Sequence, residues 1–211
     1  MNKSRLEAFS DGVLAIILTI LVLELKLPQG GGYSALDPLM PAFASYALSF
    51  VFVGMYWVNH HHLLQLAEEV DGRILWMNLH LLFWLSLIPF ATGWLAHSGF
   101  SDASVVLYGV LLLGAAAAYY LLARSLMQLH GPDSDLAKVL GADVKGRISV
   151  LIYILALAFA LAGWSARLCY CLYVIVALMW VIPDPRIERR VREVAEGFSG
   201  PRRKRAKRGG R

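Results

Sequence analysis

The chain has 211 residues, of which 58% are hydrophobic and 17% are charged, and its formal net charge is +5. A soluble domain usually contains about 45–50% apolar and about 25% charged residues, and here the excess apolar residues form long runs. Because a membrane-spanning helix needs about 20 mostly apolar residues, the chain has room for roughly six spans and short loops. This composition excludes a separate soluble catalytic domain and favours an all-α integral membrane protein.

The first three predicted spans contain polar residues within their apolar runs. We predict the first span over about 6–27, the second over about 39–61 and the third over about 74–96. Three consecutive glycines, residues 30–32, follow the first span and favour a turn. Pro89 predicts a kink within the third span, because proline cannot donate a backbone hydrogen bond.

The last three predicted spans follow after short polar segments. We predict them over about 103–126, 148–165 and 168–182, with a polar loop over 127–147. The two cysteines of the chain lie two positions apart in the sixth span and therefore point to different sides of a helix. This spacing favours packing residues over a disulfide or a metal pair.

Basic residues are distributed unevenly between alternate loops. With a cytoplasmic N-terminus, six spans place only Lys26 and Arg167 on the outer side and every other Lys and Arg on the inner side. The positive-inside rule then predicts that both termini are cytoplasmic and that the protein lies in the cell membrane. The chain divides into a six-span domain, residues 1–185, and a basic tail, residues 186–211. The tail is interpreted either as a topology anchor or as a site for anionic lipid head groups.

The first span begins with polar residues that allow two interpretations. Ser10 and Asp11 could cap the start of a helix, as Ser and Asp commonly do. Asp11 is followed at once by apolar residues, however, and ionisable groups at membrane depth are usually paired and functional. Arg5, His60 and His61 are expected on the same side of the membrane and are candidate partners for Asp11.

An apolar stripe follows on the same span. Ile16, Ile20 and Leu23 recur at positions i, i+4 and i+7, and Thr19 lies on the adjoining stripe. Such spacing predicts one continuous helix face. A face of this kind can contact lipid or line a pore, and spacing alone does not distinguish between the two.

Three consecutive histidines, residues 60–62, end the second predicted span. Metal-binding histidines on a helix need i, i+4 spacing, whereas adjacent residues point about 100° apart. The histidines therefore favour hydrogen bonding or proton sensing at the membrane edge over metal binding. The sequence also lacks a P-loop and a nucleophile elbow, so we predict no enzyme activity, no cofactor and no nucleic-acid partner.

Three motifs occupy the first three spans. They are R-x-x-x-F-S-D-G-V-x-A-I-x-x-T over residues 5–19, W-x-x-H-H over residues 57–61, and Asn78 followed by P-F-x-T over residues 89–92. Together they resemble the transmembrane-protein-175 family of endolysosomal and prokaryotic cation channels. The six-span count agrees with one repeat of that family.

This resemblance implies a homotetramer of six-span subunits whose first helices line a central pore. Prokaryotic members of the family are similar in using rings of large apolar side chains in place of a carbonyl filter. Here the constriction would be formed by Ile16, Ile20 and Leu23. Thr19 would lie one turn beyond the first ring, and Glu24 would lie at the outer mouth. The implied function is a potassium-permeable channel whose partners are membrane lipids and permeant monovalent cations.

The resemblance also implies a polar network that holds the helices around the pore near the cytoplasmic side. Its members would be Arg5, Phe9, Ser10, Asp11, His60 and His61. The alternative is a proton-coupled secondary transporter, or a proton pathway, that uses Asp11 with His60 or His61. A channel requires the Ile16 and Ile20 side chains to meet around an axis between subunits, whereas a transporter would place its site between helices of one subunit.

Overall fold

The computed structural model describes residues 2–140 and 143–181, and their regular structure is helical. A 3-10 helix over Tyr33–Leu39 precedes the second α-helix. The α-helices are α1 (Lys3–Leu23), α2 (Met40–Leu66), α3 (Gly72–Ser86), α4 (Ile88–His97), α5 (Asp102–His130), α6 (Asp135–Leu140), α7 (Val144–Leu161) and α8 (Ala166–Val181). The basic tail predicted over residues 186–211, like the end of the sixth predicted span, lies outside the described residues.

Five helical segments of the described chain are long and apolar enough to cross a membrane. They are α1, α2 with its 3-10 helix, α3 with α4, α5, and α7. The apolar helix α8 has 16 residues, and its last residue, Val181, is also the last residue that the structure describes. Each predicted span thus corresponds to an apolar helical segment, and the protein is a multi-pass membrane protein.

Several helix ends differ from those predicted. Helix α1 ends at Leu23 instead of residue 27, with Glu24 as its C-cap. Helix α2 continues through the three histidines to Leu66. The predicted polar loop contains the end of α5 and the short helix α6. Helix α5 ends at His130 and is followed by Gly131, whose φ of 84° is readily adopted by glycine.

The third predicted span is broken where the proline predicted a kink. Helix α3 ends at Ser86 and α4 begins at Ile88, so that Pro89 lies in the first turn of α4. Pro89 has no N–H to donate to the carbonyl of Leu85, and the helical hydrogen-bond ladder is interrupted there.

Helix α5 forms the centre of the bundle. It packs against α3 and α4 on one side and against the hairpin of α7 and α8 on the other, whereas α1 packs against α2, α3 and α4. The two cysteines of α8 point to different sides, as their spacing predicted: Cys169 is buried, Cys171 is exposed, and both are free.

The turn between α2 and α3 connects the start of α1 to the end of α5. Lys3 Nζ donates to the Ala67 carbonyl at 2.8 Å. From the other side, His130 Nε2 accepts from the backbone N–H groups of Glu68 and Glu69 at 2.9 and 3.2 Å. Three separate parts of the chain therefore meet at this end of the bundle, which we call the α1-start end.

Two glycines of α5 allow neighbouring aromatic rings to approach its backbone. A Cβ atom at Gly109 would meet the ring of Tyr173, and one at Gly114 would lie 2.5 Å from the ring of Trp84. The Trp84 ring is held in place because its Nε1–H donates to His80 Nε2 at 2.9 Å. Small residues in α5 thus serve close packing within the bundle.

We expect Gly114→Ala to lower the melting temperature of the purified protein, since the added methyl group forces the Trp84 ring out of its position. Overpacking of this kind costs about 1–3 kcal/mol. Gly54→Ala in α2 is the matched control, because no atom lies within 4 Å of its Cβ position. Equal melting temperatures for the two variants would contradict the close packing of Trp84.

Candidate functional site

Helix α1 attaches to the bundle along one regular face. Its buried residues recur every three or four positions and are Leu6, Ser10, Leu14, Ile17 and Leu21. This is the spacing of a single helix face. The remaining half of the helix circumference is uncovered in the single chain, and we call it the open face of α1.

The large side chains of the predicted constriction lie on the open face. Ile16 is 59% exposed, Ile20 is 40% exposed and Leu23 is 78% exposed. Phe9 is also exposed on this side. The structure therefore separates two sets of apolar residues on one helix, with one set packed into the bundle and the other left without protein cover.

Polar residues share the open face with these apolar side chains. The Thr19 hydroxyl donates to the Ile16 carbonyl at 2.8 Å, so its proton is used within the helix while its oxygen lies on the surface. Arg5 and Asp11 are also exposed. Asp11 lies eight residues into α1, roughly 12 Å from the helix start. The edge of the open face thus carries an ionisable side chain at depth within an apolar helix.

A directed chain of hydrogen bonds fixes the buried face of α1. His60 Nε2 lies 2.7 Å from Asn78 Oδ1, and Asn78 Nδ2 donates to Ser10 Oγ at 2.9 Å. Ser10 Oγ in turn donates to the Leu6 carbonyl at 2.9 Å. Since the amide oxygen of Asn78 only accepts, the His60 Nε2 carries the proton. The three side chains are buried and connect α2 through α3 to α1.

A second polar group lies at the edge of the open face. The indole N–H of Trp57 donates to Asp11 Oδ1 at 2.9 Å, and the ring of Trp57 stacks on His61 with 6.3 Å between the ring centroids. Within the described residues, Asp11 forms no ion pair with Arg5. Ser10, Asp11 and the two histidines thus belong to two separate groups, with Asn78 central to one and Trp57 to the other.

The three consecutive histidines of α2 point in different directions. His60 is buried, His61 is exposed and stacks on Trp57, and His62 lies between these extremes. No group of three potential metal-ligating side chains occurs within residues 2–140 and 143–181. The different directions of the three side chains agree with the 100° step between adjacent helix positions, on which the preference for hydrogen bonding over metal binding was based.

Glu24 lies at the opposite end of α1, directly after its last turn. Its carboxylate lies over Gly93 of α4, where Oε2 is 2.6 Å from the position that a Cβ atom would take. Glu24 and Gly93 border an open cleft of about 380 Å³ with Phe90, Trp94 and His97. The absence of a side chain at Gly93 gives the carboxylate its place beside α4.

Two residues of the site were not in the predicted set, although both carried a signal in the sequence. Asn78 is a lone amide in an apolar span, and such a group requires a buried partner. Trp57 belongs to the W-x-x-H-H motif of α2. The sequence marked both as unusual, but only the folded arrangement shows that Asn78 joins Ser10 to His60 and that Trp57 binds Asp11.

The fold and these polar groups define a multi-pass helical membrane protein whose first helix has one open face. Comparison with known proteins gives its family. Residues 5–89 match the family model described as endosomal/lysosomal potassium channel TMEM175. A potassium channel of Chryseobacterium sp. (strain P1-3) is 47% identical over 193 residues, which cover 92% of this chain and 100% of that protein. A potassium channel of Streptomyces collinus is 32% identical, over 85% of this chain and 92% of that protein.

A solved structure has the same fold. The crystal structure of a lysosomal potassium-selective channel TMEM175 homolog from Chamaesiphon minutus matches with a TM-score of 0.73 and 28% sequence identity. The match covers 85% of this chain and 96% of that one. The chain belongs to the TMEM175 family, as a prokaryotic member, and this is a family of channels and not of enzymes.

We expect Asn78→Ala to destabilise the protein by about 1–2 kcal/mol, because the His60 N–H and the Ser10 oxygen lose their shared partner in a buried place. The melting temperature of the purified variant measures this loss. Ser86→Ala is the control, since the exposed Ser86 hydroxyl donates only to the Phe83 carbonyl of its own helix. Unchanged melting of Asn78→Ala would show that the hydrogen-bond chain does not hold α1.

Proposed function

We propose that the protein is a potassium-permeable channel in the cell membrane, formed by four copies of this chain with both termini in the cytoplasm. The open face of α1 from each subunit lines a central pore. The observation that carries this proposal is the exposure of Ile16, Ile20 and Leu23 on a helix whose opposite face is firmly packed. The names of the two bacterial relatives, both potassium channels, indicate the permeant ion.

Exposed apolar residues alone do not distinguish a pore from a lipid contact, since lipid tails are as apolar as leucine. The polar residues on the same face favour the pore. A charged side chain at the centre of a membrane helix costs about 2.5–3.5 kcal/mol even on the most permissive scale. Asp11 lies at the edge of the open face, where Trp57 binds it, so protein or water is a better environment for this edge of α1 than lipid.

The proposed constriction consists of apolar rings. Four copies of Ile16, with Ile20 and Leu23 beyond them, would narrow the pore enough that a passing ion loses part of its water. An apolar ring offers no oxygen atoms to replace that water, so it presents a dehydration barrier and can also close by dewetting. Potassium releases water more easily than sodium does and passes more readily. Selectivity is therefore expected to be modest.

The residues around the constriction have supporting roles in this proposal. Thr19 places a hydroxyl oxygen one turn beyond the Ile16 ring, where it can contact a hydrated ion. Glu24 follows the last turn of α1 and raises the local concentration of cations at the outer mouth. Both side chains are exposed in the single chain.

The two polar groups described above act as braces in the same proposal. The chain from His60 through Asn78 to Ser10 sets the rotation of α1. The bond between Trp57 and Asp11 holds the edge of the open face against α2. Arg5, Phe9 and His61, the other members of the predicted network, are exposed on the surface of α1 and α2. We assign them to contacts with neighbouring subunits at the same depth as the two braces.

The alternative of a proton-coupled transporter, or a proton pathway, requires Asp11 and a histidine to act together. The contacts give this alternative little support. His60 is bonded to Asn78, and Asp11 is bonded to Trp57, in two separate groups. His61 is linked to Asp11 through the ring of Trp57, and His60 lies near enough to interact with the Asp11 charge, but no hydrogen bond joins either histidine to Asp11 among the described residues.

Flux through the purified protein in liposomes tests the constriction. We expect the wild type to conduct potassium in preference to sodium, and we expect Ile16→Asn to bring the ratio of the two fluxes toward one, because an amide replaces apolar surface in the narrowest ring. Ile154→Asn on α7 is the matched control, since it makes the same exchange at an exposed position on a helix that packs against α5 and α8 and not mainly against α1.

The control and the kinetics decide between the two mechanisms. Equal effects of Ile16→Asn and Ile154→Asn on the flux ratio would remove Ile16 from the constriction. Saturable, proton-coupled flux that is unaffected by Ile16→Asn would contradict a pore and favour the transporter.

A double-mutant cycle tests the brace between α1 and α2. We expect Asp11→Ala and Trp57→Phe each to lower the melting temperature of the tetramer, and the double variant to lower it no further than the stronger single variant. Asp11→Asn keeps an acceptor oxygen without the charge, and should lose only part of the stability because charge-assisted hydrogen bonds are about twice as strong as neutral ones. Native mass spectrometry gives the number of subunits. A fully stable Asp11→Ala tetramer with reduced conductance would place Asp11 in the ion path instead.

A further inference from the structure

A second cleft lies away from α1, between α2, α5 and the hairpin of α7 and α8. Its volume is about 540 Å³, within the range of about 300–1,000 Å³ that is usual for small-molecule sites. It follows α5 from Leu113 to Met127, roughly 21 Å along the helix. One end, which we call its mouth, lies at Asp143 and Arg147 at the beginning of α7, near the α1-start end of the bundle.

The deeper walls of the cleft are apolar. Leu113, Ala116 and Ala117 of α5 and Val150 of α7 line it, and the two alanines leave space that larger side chains would fill. Ala117 and Tyr120 are exposed, so the cleft opens on the outer surface of the bundle. In a membrane protein this surface meets lipid tails, and the cleft is therefore accessible from the membrane.

Two buried tyrosines direct unused hydroxyl groups to the cleft. Tyr56 is 5% exposed and Tyr153 is 1% exposed, and both line the cleft. Neither hydroxyl has a hydrogen-bond partner among residues 2–140 and 143–181, whereas the hydroxyls of Tyr119 and Tyr173 both donate to backbone carbonyls. Neither hydroxyl oxygen is among the buried unpartnered atoms of the described residues, so both keep accessible surface. Since both tyrosines line the cleft, their hydroxyls can donate to an acceptor placed there.

The mouth of the cleft carries positive charge. The guanidinium of Arg147 lines it, is exposed, and forms no ion pair or side-chain hydrogen bond within the described chain. Arg124 lies one turn from Tyr120 on the same exposed side of α5. The carboxylate of Asp143 also lines the mouth, but it caps α7 by accepting from the Gly146 N–H at 2.8 Å.

We propose that this cleft binds one phospholipid with an anionic head group. The Arg147 guanidinium holds the phosphate, the hydroxyls of Tyr56 and Tyr153 donate to the ester carbonyls, and one acyl chain lies against Leu113 and Ala117. The order of groups along the cleft is that of a phospholipid, with charge at the mouth, hydrogen-bond donors next and apolar walls deepest. Basic pockets between transmembrane helices are established binding places for anionic head groups.

An occupant of this kind would join the α7–α8 hairpin to the rest of the bundle. Helix α7 packs on α5 and α8, and the cleft separates its first turns from α2. A lipid in the cleft would fill this gap and would satisfy both tyrosine hydroxyls. The proposal does not depend on ion conduction and is tested by binding alone.

Native mass spectrometry of the delipidated, full-length protein measures the binding. The probes are dioleoyl phosphatidylglycerol, which is anionic, dioleoyl phosphatidylcholine, which is zwitterionic, and glycerol 3-phosphate, which has no acyl chain. We expect one phosphatidylglycerol per subunit, with much weaker binding of the other two probes. Arg147→Gln should weaken it about fivefold, and the double variant Tyr56→Phe with Tyr153→Phe about tenfold.

Matched controls make the same exchanges outside the cleft. Arg167→Gln removes a charge at the start of α8, at the far end of the hairpin, and Tyr46→Phe removes a hydroxyl near the start of α2; neither residue lines the cleft. Both controls should bind like the wild type. Ala117→Trp fills the cleft while leaving Arg147 in place, and it should abolish binding even if the tyrosine variants do not fold.

Three results would overturn the proposal. Equal losses for Arg147→Gln and Arg167→Gln would indicate non-specific attraction to the surface. Equal binding of phosphatidylcholine would remove the role of the anionic head group. Displacement of phosphatidylglycerol by glycerol 3-phosphate at comparable concentration would show a site for a free phosphate ester, in which the acyl chain has no part.

Discussion

The rotation of α1 about its own axis depends on the hydrogen-bond chain from His60 through Asn78 to Ser10. Apolar packing cannot set this rotation by itself in a membrane, because lipid tails compete equally well for an apolar helix surface. Hydrogen bonds are directional, and a buried amide requires its partners to be in fixed places. If α1 turned by the 100° between adjacent residues, Ser10 would leave Asn78 and the open face would turn into the bundle.

Another buried group of hydrogen-bonded side chains, formed by three hydroxyls, also fixes helix positions, closer to the other end of the bundle. The Ser49 hydroxyl lies 2.7 Å from the Thr92 hydroxyl and 2.8 Å from the Tyr108 hydroxyl, which joins α2, α4 and α5. Helix α2 takes part in both groups and is therefore held at two depths. Helix α1 therefore packs against a neighbour, α2, whose position is fixed. The broken third span contributes Asn78 of α3 to the first group and Thr92 of α4 to the second.

The two halves of the chain are organised differently. The match to the family model covers residues 5–89, which contain the open face of α1, both polar groups around Ser10 and Asp11, and the break at Pro89. The α7–α8 hairpin lies beyond it and packs through aromatic contacts, such as the edge-on pair of Tyr153 and Tyr173. The cleft lies at the junction of the two halves, where packing between the hairpin and the bundle is incomplete.

The sequence by itself determined that this is a helical membrane protein, where its apolar segments lie, that the third of them breaks at Pro89, and that residues 5–19 carry a family motif. These features depend on local rules: the length of an apolar run, the missing N–H of proline and the spacing of a helix face. It also marked Ser10, Asp11 and His60 as polar groups in need of partners. Only the tertiary structure decided which partners they have, because Asn78 and Trp57 reach them from other helices, and sequence separation carries no distance. The cleft could not be predicted from the sequence for the same reason. Tyr56 and Tyr153 are ordinary aromatic residues in apolar spans, and only the folded arrangement places both on the walls of one cleft.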